Sequence, residues 1–239
     1  MTAVPSAGSA ARSVTELHVL RVFVGPDSRG GNPLGVFLDG WRFPADRRQA
    51  VAAELRFSET VFVDDPAEGA IRIFTPAAEL PFAGHPTVGT AWLFRETGAP
   101  ATTLRPPAGE VATRHDAERT WVRARPEWVH EHERRRLPSV ADVESFAGPS
   151  LGERGIYVWA WIDEAAGICR SRYFPTDYGI LEDEATGAAA VAMGADLGRP
   201  LAIRQGVGSE LLVRPLPDGS VEIGGRVELV DVRRFPVAL

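Results

Sequence analysis

Residues Ile71 to Gly98 have the sequence IRIFTPAAELPFAGHPTVGTAWLFRETG. The alternating isoleucines at the start of this stretch predict a strand that ends at Pro76. Pro86 suits the first turn of a helix, because the N–H group that proline lacks has no partner there. Apolar residues then recur at helical spacing and give that helix one largely apolar face. The stretch therefore predicts a strand, a loop and a helix.

The predicted helix start is a candidate binding site for an anion. A helix N-terminus presents unpaired N–H groups and the positive end of the helix dipole. Gly84, His85 and Thr87 would supply these donors, and Gly84 has no side chain that would block an approaching ligand. We expect a carboxylate to bind at this junction.

A second copy of the same pattern follows later in the chain. A β-rich run carries Arg172 where the first copy has Arg72, and a small-residue helix predicted over 185–193 opens with Thr186 and Gly187. This similarity indicates an internal duplication. Two such halves would direct two helix N-termini into one cleft, which suits a carboxylate-bearing small molecule held between two domains.

The composition limits the possible functions. With 239 residues, 44% of them hydrophobic and 24% charged, the chain can bury one large core or two smaller ones, and the duplication favours two. Its net charge of -6 argues against a nucleic-acid surface. The arginines at 134–136 follow acidic residues and are interpreted as a solvated helix face. His130 and His132 are two apart with no further ligand nearby, which favours a solvated surface over a metal site. Cys169, the single cysteine, lies in an apolar strand and is interpreted as a buried structural thiol.

Local composition predicts the character of the N-terminal segment and the position of the domain boundary. Residues 1–14 are rich in Ala, Ser and Gly and lack the apolar block of a signal peptide, so they predict a disordered tail on a cytoplasmic protein. No segment has the apolar length of a membrane span. The polar stretch over 125–137 places the predicted boundary between an N-terminal domain, 15–126, and a C-terminal domain, 127–239.

The rest of the pattern predicts many strands and few helices. A strand over 17–24 should pair with one over 34–38, and a helix over 44–56 should pack on their sheet. Near the end, short strands over 221–223 and 227–230 predict hairpins that close the second domain. The sequence therefore indicates a strand-rich α+β protein.

Glu59 is the leading candidate for a catalytic acid or base. It lies at the start of a predicted strand in the same half as the His85 helix start. On the strand pattern alone, Glu59 would be a solvent-facing acid. In a cleft, partial desolvation would instead raise the pKa of its carboxyl group, so that it could both accept and donate a proton.

Several short motifs extend from the start of the predicted fold to its end. They are Asn32-Pro33 with Val36-Phe37, Ser58-Glu59-Thr60, Arg72-x-Phe74-Thr75-Pro76, Glu79-Leu80-x-Phe82-x-Gly84-His85-Pro86-Thr87-x-Gly89, Glu182-Asp183-x-Ala185-Thr186-Gly187 and Arg204-Gln205-Gly206. Together they resemble the PhzF family of phenazine-biosynthesis isomerases, and the match covers nearly the whole chain.

The resemblance implies the fold of diaminopimelate epimerase, with two similar domains, each a curved and mostly antiparallel sheet around a central helix. It also implies a cofactor-free enzyme, usually a homodimer, that isomerises a cyclic diene acid in the cleft between the domains. Glu59 would take a proton from one carbon and return it to another, while His85 and Asp183 would assist and position the substrate. Backbone N–H groups near Gly84 and Gly187 would hold the substrate carboxylate.

Two positions depart from the family pattern. Ala188 stands where the phenazine enzyme has a serine, and Glu184 stands where a proline is usual. The substrate could therefore differ, with dihydro-hydroxyanthranilate and a pyrroline diene acid as the two candidates. Asp183 could also serve only as a helix cap, a common role for aspartate.

Two other functions stay open on the sequence. A Glu-based epimerase or racemase is compatible with the implied fold, but a two-thiol mechanism is excluded because the helix starts carry His85 and Ala188 rather than cysteines. A catalytically silent small-molecule-binding protein of the same fold is the second alternative. The joint presence of Glu59, His85 and Asp183 speaks against it.

Overall fold

A computed structural model describes residues 13–98, 102–129 and 132–237. Among these residues the helices are α1 (Ala45–Leu55), α2 (Gly84–Glu96), α3 (Val140–Ser145) and α4 (Gly187–Leu197). The strands are β1 (Ser13–Val24), β2 (Asn32–Phe37), β3 (Glu59–Asp65), β4 (Ala70–Phe74), β5 (Glu79–Leu80), β6 (Thr103–Leu104), β7 (Val111–His115), β8 (Thr120–Ala124), β9 (Glu133–Arg136), β10 (Ile156–Asp163), β11 (Ile168–Phe174), β12 (Leu201–Gln205), β13 (Ser209–Pro215) and β14 (Val221–Val237).

The strands join into one sheet with the order β5-β4-β3-β2-β1-β14-β13-β12-β11-β10-β9, to which β8 and then β7 and β6 are added at β14. β2 and β3 pair in parallel across α1, and β9 and β10 pair in parallel across α3. Each parallel pair is followed by an antiparallel strand, β4 or β11, and then by a buried helix, α2 or α4. The predicted duplication is therefore present in the topology.

Matching ion pairs mark the two copies. Arg72 on β4 contacts Glu79 on the two-residue strand β5, in the segment before α2, with 2.9 Å between nitrogen and oxygen. Arg172 on β11 contacts Glu182 in the loop before α4 at 2.7 Å. Each pair joins a strand to the segment that leads into a central helix. The pairs therefore help to set where each helix begins.

One large hydrophobic core spans both halves. It includes Val88 and Phe94 of α2, Val191 and Met193 of α4, and Ile223 of the long strand β14. Full burial of each such side chain stabilises the fold by about 1.5–3 kcal/mol. Because side chains from both halves contribute to this core, its packing also holds the two helix starts together.

The predicted hairpins near the C-terminus are wrong, because β14 is one continuous strand of 17 residues. Gly224 and Gly225 lie inside it, and neither adopts a positive φ. A Cβ atom at Gly225 would lie 2.6 Å from Phe23 Cδ1, and one at Gly224 would clash with the Trp121 ring. These glycines allow close packing within the sheet and do not form a turn. β14 pairs with β13 and β8 first and then with β1.

The interpretation of 134–136 as a helix face is also wrong, since these residues belong to the edge strand β9. The side chain of Arg134 pairs with Asp196 at 2.6 Å. The guanidinium of Arg136 lies over the ring of Trp159, 5.7 Å from its centroid. Ion pairs with acidic residues and cation–π contacts with aromatic rings therefore stabilise the positive charges on this edge strand.

The remaining predictions on the first half match the structure closely. The predicted strand over 17–24 is confirmed, although β1 already starts at Ser13. The helix predicted over 44–56 is α1, with Pro44 at its N-cap. Most of the predicted tail over 1–14 lies outside the described residues, but Ser13 and Val14 belong to β1, so the disorder prediction is wrong for these two. The boundary between 126 and 127 stays a prediction.

Two further predictions concern membranes and histidines. None of the helices in the described parts of the chain is long and apolar enough to cross a membrane. His130 lies outside the described residues. His132 packs its ring against Tyr173, with 5.3 Å between the ring centroids, and against Tyr157 at 6.1 Å, so it lies in an aromatic environment rather than on a solvated surface.

Candidate active site

A cavity of about 670 Å³ lies between the two halves. Both helix starts line it, with Gly84 and His85 from α2 and Gly187 and Ala188 from α4. Glu59 also faces this cavity. Its size lies within the range of small-molecule sites, about 300–1,000 Å³.

The N-termini of α2 and α4 meet at the cavity wall. A Cβ atom at Gly187 would lie 2.8 Å from Gly84 Cα and 3.0 Å from the backbone nitrogen of His85. Only glycine at both positions allows this approach. Neither N-cap residue, Ala83 or Thr186, caps its helix with a side-chain hydrogen bond. The two helix dipoles therefore direct their positive ends towards one place, where an anion would be stabilised.

Glu59 begins β3 and is held beside β2, where it pairs in register with Leu34. Its side chain is 16% exposed, and its Oε2 atom lies 3.3 Å from Nδ1 of His85. Burial raises the pKa of Glu59 well above its ordinary value, and the charge of Asp183 adds to this. In the described part of the chain, the buried Oε2 atom has no hydrogen-bond partner, so its hydrogen-bonding capacity is unused in the free protein.

His85 is the second residue of α2 and is only 4% exposed. Burial lowers its pKa to about 3, although the backbone at Pro33 acts in the opposite direction. The imidazole is therefore neutral at neutral pH. Within the described residues its Nε2 atom has no hydrogen-bond partner. A neutral imidazole next to Glu59 can orient a substrate group without holding the carboxyl group in its ionised form.

Asp183 comes from the second half and is fixed by a bridge in which its backbone N–H donates to the Tyr173 carbonyl at 2.9 Å. Burial raises the pKa of Asp183 to about 6. Hydrogen bonds from Thr186 and Asn32 lower the pKa and so limit this rise. The cavity thus holds two carboxyl groups, on Glu59 and Asp183, each with a raised pKa.

The alternative in which Asp183 only caps a helix is wrong. Thr186, not Asp183, is the N-cap of α4, and its hydroxyl donates to the Asp183 carboxylate at 2.5 Å. Thr186 also lines the cavity, as predicted. Thr87 is placed differently from the expectation, because it is absent from the cavity lining and its hydroxyl donates to the Ala83 carbonyl at 2.7 Å.

The two departures from the family pattern have different environments. Ala188 lines the cavity and brings a methyl group to it. Glu184 is directed away from the cavity lining, where it accepts hydrogen bonds from the Val207 backbone N–H at 3.0 Å and the Ser209 hydroxyl at 2.8 Å. The added acid therefore supports a neighbouring loop rather than the cavity wall.

Three polar residues with a part in the site were not predicted: Asn32, Ser58 and Gln205. Asn32 donates to Asp183 at 2.8 Å and accepts from Ser58 at 2.9 Å. Gln205 donates to the Thr186 hydroxyl at 2.8 Å. All three lie in the motifs that carry the family resemblance, so their recurrence in those motifs was the available signal. No group of three or more potential metal-binding side chains clusters in the described residues.

Residues 24–126 match the profile of the PhzC-PhzF family, described as phenazine biosynthesis-like protein. A trans-2,3-dihydro-3-hydroxyanthranilate isomerase from Pseudomonas fluorescens is 32% identical over 249 residues, which cover 83% of this chain and 89% of that protein.

Two solved structures show the shared fold. A PhzF-family phenazine biosynthesis protein from Bacillus anthracis superposes with a TM-score of 0.76 at 20% identity, covering 93% of this chain and 99% of that chain. A probable proline racemase from Agrobacterium radiobacter superposes with a TM-score of 0.62 at 12% identity, covering 94% and 93%. The predicted epimerase-like α+β fold is confirmed. The chain belongs to the PhzC-PhzF family of phenazine biosynthesis-like proteins and is an isomerase of that family.

Proposed function

We propose that this protein is a cofactor-free isomerase that moves a proton along the conjugated system of a cyclic diene acid, with Glu59 as the proton shuttle. The observation that carries the proposal is the environment of Glu59. Its carboxyl group is buried in the cavity, has a raised pKa, and keeps one oxygen without a hydrogen-bond partner among the described residues. Such a group can accept a proton from carbon and donate it again near neutral pH.

In the proposed reaction, Glu59 alone both removes and returns the proton. The Glu59 carboxylate takes a proton from one carbon, the C–H electron pair enters the conjugated system, and the electrons shift along it. The resulting Glu59 carboxylic acid then returns the proton to another carbon of the same molecule. Glu59 ends in its starting form, so neither an oxidant nor a co-substrate is consumed.

The substrate anion has a matching environment. The N–H groups at the starts of α2 and α4 would hold a carboxylate and stabilise the delocalised negative charge. Neutral His85 would donate to or accept from a hydroxyl or amino group, and Asp183 would hold a cationic or donor group. Burial of Glu59, His85 and Asp183 in the cavity would limit competition from water.

Arg56 and Arg154 add positive charge to the cavity lining. Neither guanidinium forms an ion pair within the part of the chain that the structure describes. Their charge supports an anionic substrate, because it raises the local concentration of anions near the cavity. Dihydro-hydroxyanthranilate, the compound class named for the Pseudomonas relative, and a pyrroline diene acid are the two candidate substrates. Because Ala188 brings a methyl group to the cavity where the family pattern has a serine, both acids should be tested as substrates.

The residue types of this chain support a mechanism without covalent catalysis. The sequence has no lysine, so the chain offers no side-chain amine for an imine with a carbonyl compound. Burial raises the pKa of Cys169 to about 12, so its thiol is protonated and unsuited to proton abstraction at neutral pH. A homodimer in the cytoplasm is proposed from the family resemblance, and light scattering on the purified protein would measure the oligomeric state.

Deuterium uptake tests the proposal. The protein is incubated in heavy water with each candidate acid, and deuterium at carbon is followed by mass spectrometry while the ultraviolet spectrum reports a shifted diene. Wild-type protein should incorporate deuterium, and E59Q should not. E54Q on the exposed face of α1 is the matched control and should retain the full rate. Binding of both acids without any exchange would contradict the proposal and support the binding-protein alternative.

A further inference from the structure

Asn32 is the only asparagine in the sequence and is almost completely buried at the start of β2. Its side-chain oxygen accepts a hydrogen bond from the Ser58 hydroxyl at 2.9 Å. Its amide nitrogen donates to Asp183 Oδ1 at 2.8 Å and to the Ala185 carbonyl at 2.9 Å. Both amide hydrogens are therefore used within the protein. Asn32 links the two halves and has no donor left for a substrate.

The other oxygen of Asp183 is held from the second half. The Thr186 hydroxyl donates to Oδ2 at 2.5 Å, and Gln205 donates to that hydroxyl oxygen at 2.8 Å. Gln205 also accepts from the Thr186 backbone N–H at 3.2 Å. Because the threonine oxygen accepts from Gln205, its hydrogen is directed to Asp183. Each oxygen of the Asp183 carboxylate thus accepts one side-chain hydrogen bond, and a backbone hydrogen bond from Glu184 acts in the same direction on its pKa.

The two carboxyl groups of the cavity, on Asp183 and Glu59, differ in the hydrogen bonds that they accept. Asp183 accepts two hydrogen bonds, which stabilise its ionised form. Glu59 has one oxygen without a partner among the described residues and is buried beside a neutral histidine, which favours its protonated form. Two like charges in one cavity disfavour each other, so an ionised Asp183 further favours a protonated Glu59.

We propose that Asn32 is a positioning residue that keeps Asp183 ionised and thereby places the shared proton of the cavity on Glu59. In the proposed reaction the ionised fraction of Glu59 takes the proton from carbon, and the order of the two carboxyl groups then keeps that proton on Glu59, rather than on Asp183, until it is returned. This use of the proton rests on the proposed function, whereas the order of the two carboxyl groups is a property of the free protein. The direction of the pKa changes agrees with the geometry, because Asp183 raises the pKa of Glu59 and Asn32 lowers that of Asp183.

Other titratable groups next to this pair act on it without reversing the order. His85 on α2 is neutral, Tyr157 on β10 and Tyr173 on β11 have raised pKa values and stay protonated, and Glu184 raises the pKa of Asp183 by its charge. The hydrogen bonds from Asn32 and Thr186 oppose the effect of Glu184. Loss of either donor should therefore move the proton towards Asp183.

Carbon-detected NMR of the free protein, labelled at its side-chain carboxyl groups, tests the proposal without any substrate. E59Q and D183N assign the two signals by their disappearance. In the wild type, Asp183 should titrate at a lower pH than Glu59. In N32A, the apparent pKa of Asp183 should rise by about 1 to 2, which corresponds to the loss of one hydrogen bond to a charged group, and that of Glu59 should fall.

Thr186 supplies a second and independent variant. T186V removes the other donor and should shift the two titrations in the same directions, whereas T186S keeps the hydroxyl and should restore the wild-type values. T186V decides the question if N32A does not fold. A wild-type Glu59 that titrates below Asp183, or donor-loss variants with unchanged titrations, would overturn the proposal. A correct titration order together with absent deuterium exchange would contradict only the proposed function.

Discussion

The contact between the two helix starts gives a sharp prediction for G187A. A Cβ atom at this position would lie 2.8 Å from Gly84 Cα, whereas carbon atoms in contact are normally about 3.5–4.0 Å apart. The obstacle is backbone, so rotation of a side chain cannot relieve it. The starts of α2 and α4 must separate by about 0.7–1.2 Å, and His85 would move with α2. A displacement of about 1 Å can lower a catalytic rate about 100-fold.

Overpacking of this kind also costs about 1–3 kcal/mol of folding free energy. For a chain of this size that corresponds to a fall in Tm of about 2–12 °C. The assays are deuterium exchange with saturating acid and thermal unfolding followed by circular dichroism. G194A in the same helix is the matched control, because its Cβ would meet side chains and no backbone: Val213 at 2.5 Å and Val221 at 2.9 Å. G194A should lose stability and keep the exchange rate.

The contrast between the two variants separates site geometry from stability. An exchange rate in G187A equal to that of the wild type would refute the reasoning, because it would mean that the spacing of the helix starts does not control the site. Equal loss of exchange in G187A and G194A would also refute it, since the effect would then follow stability alone.

Four further predictions use other features. The pKa of Asp183 is raised to about 6 on folding, so this group makes stability fall as pH rises from about 4 to 6, and D183N should remove that fall in thermal unfolding. The pKa of His85 is lowered to about 3 on folding, so this group makes stability rise as pH increases from about 3 to 6.5. H85Q should remove that rise in thermal unfolding. R172K should lower the unfolding free energy more than R72K, by about 1–3 kcal/mol against at most about 1, because Arg172 forms a bidentate pair and also bonds backbone carbonyls. R56A should raise KM in the exchange assay and leave kcat nearly unchanged, and a fall in kcat alone would contradict a role in binding.

Much of the first half could be predicted from sequence because its signals are local. Pro44 and Pro86 mark helix starts, and the alternation in β1 and β4 marks strands. The shared arginine and the glycine-containing helix start that follows it predicted the duplication, and the arginine forms the same kind of ion pair in each copy.

The errors arise where partners are distant in sequence. Gly224 and Gly225 have the residue type of a turn, but Trp121 and Phe23 pack against them across the sheet. Residues 134–136 have the charge pattern of a helix surface, but they pair with β10 and form an edge strand. Pairing partners far along the chain decide both cases, and local propensity carries no information about them.

The candidate site shows the same division. The backbone of both helix starts and the position of Glu59 follow from motifs within short stretches. The role of Asn32 does not, because it depends on Asp183, which lies 151 residues away in the sequence. A polar side chain that donates to the other half of the molecule cannot be given a role by spacing alone.

The long strand β14 has a consequence for how the protein is made. Its second part pairs with β1, so β1 leaves the ribosome long before the strand that covers one of its edges. The intervening stretch of about 200 residues takes about 10–40 s to synthesise at about 5–20 residues per second. During that time the edge of β1 that β14 later covers presents unpaired N–H and C=O groups. The nascent chain should therefore depend on chaperones over this interval, and slower translation should lengthen its exposure to aggregation.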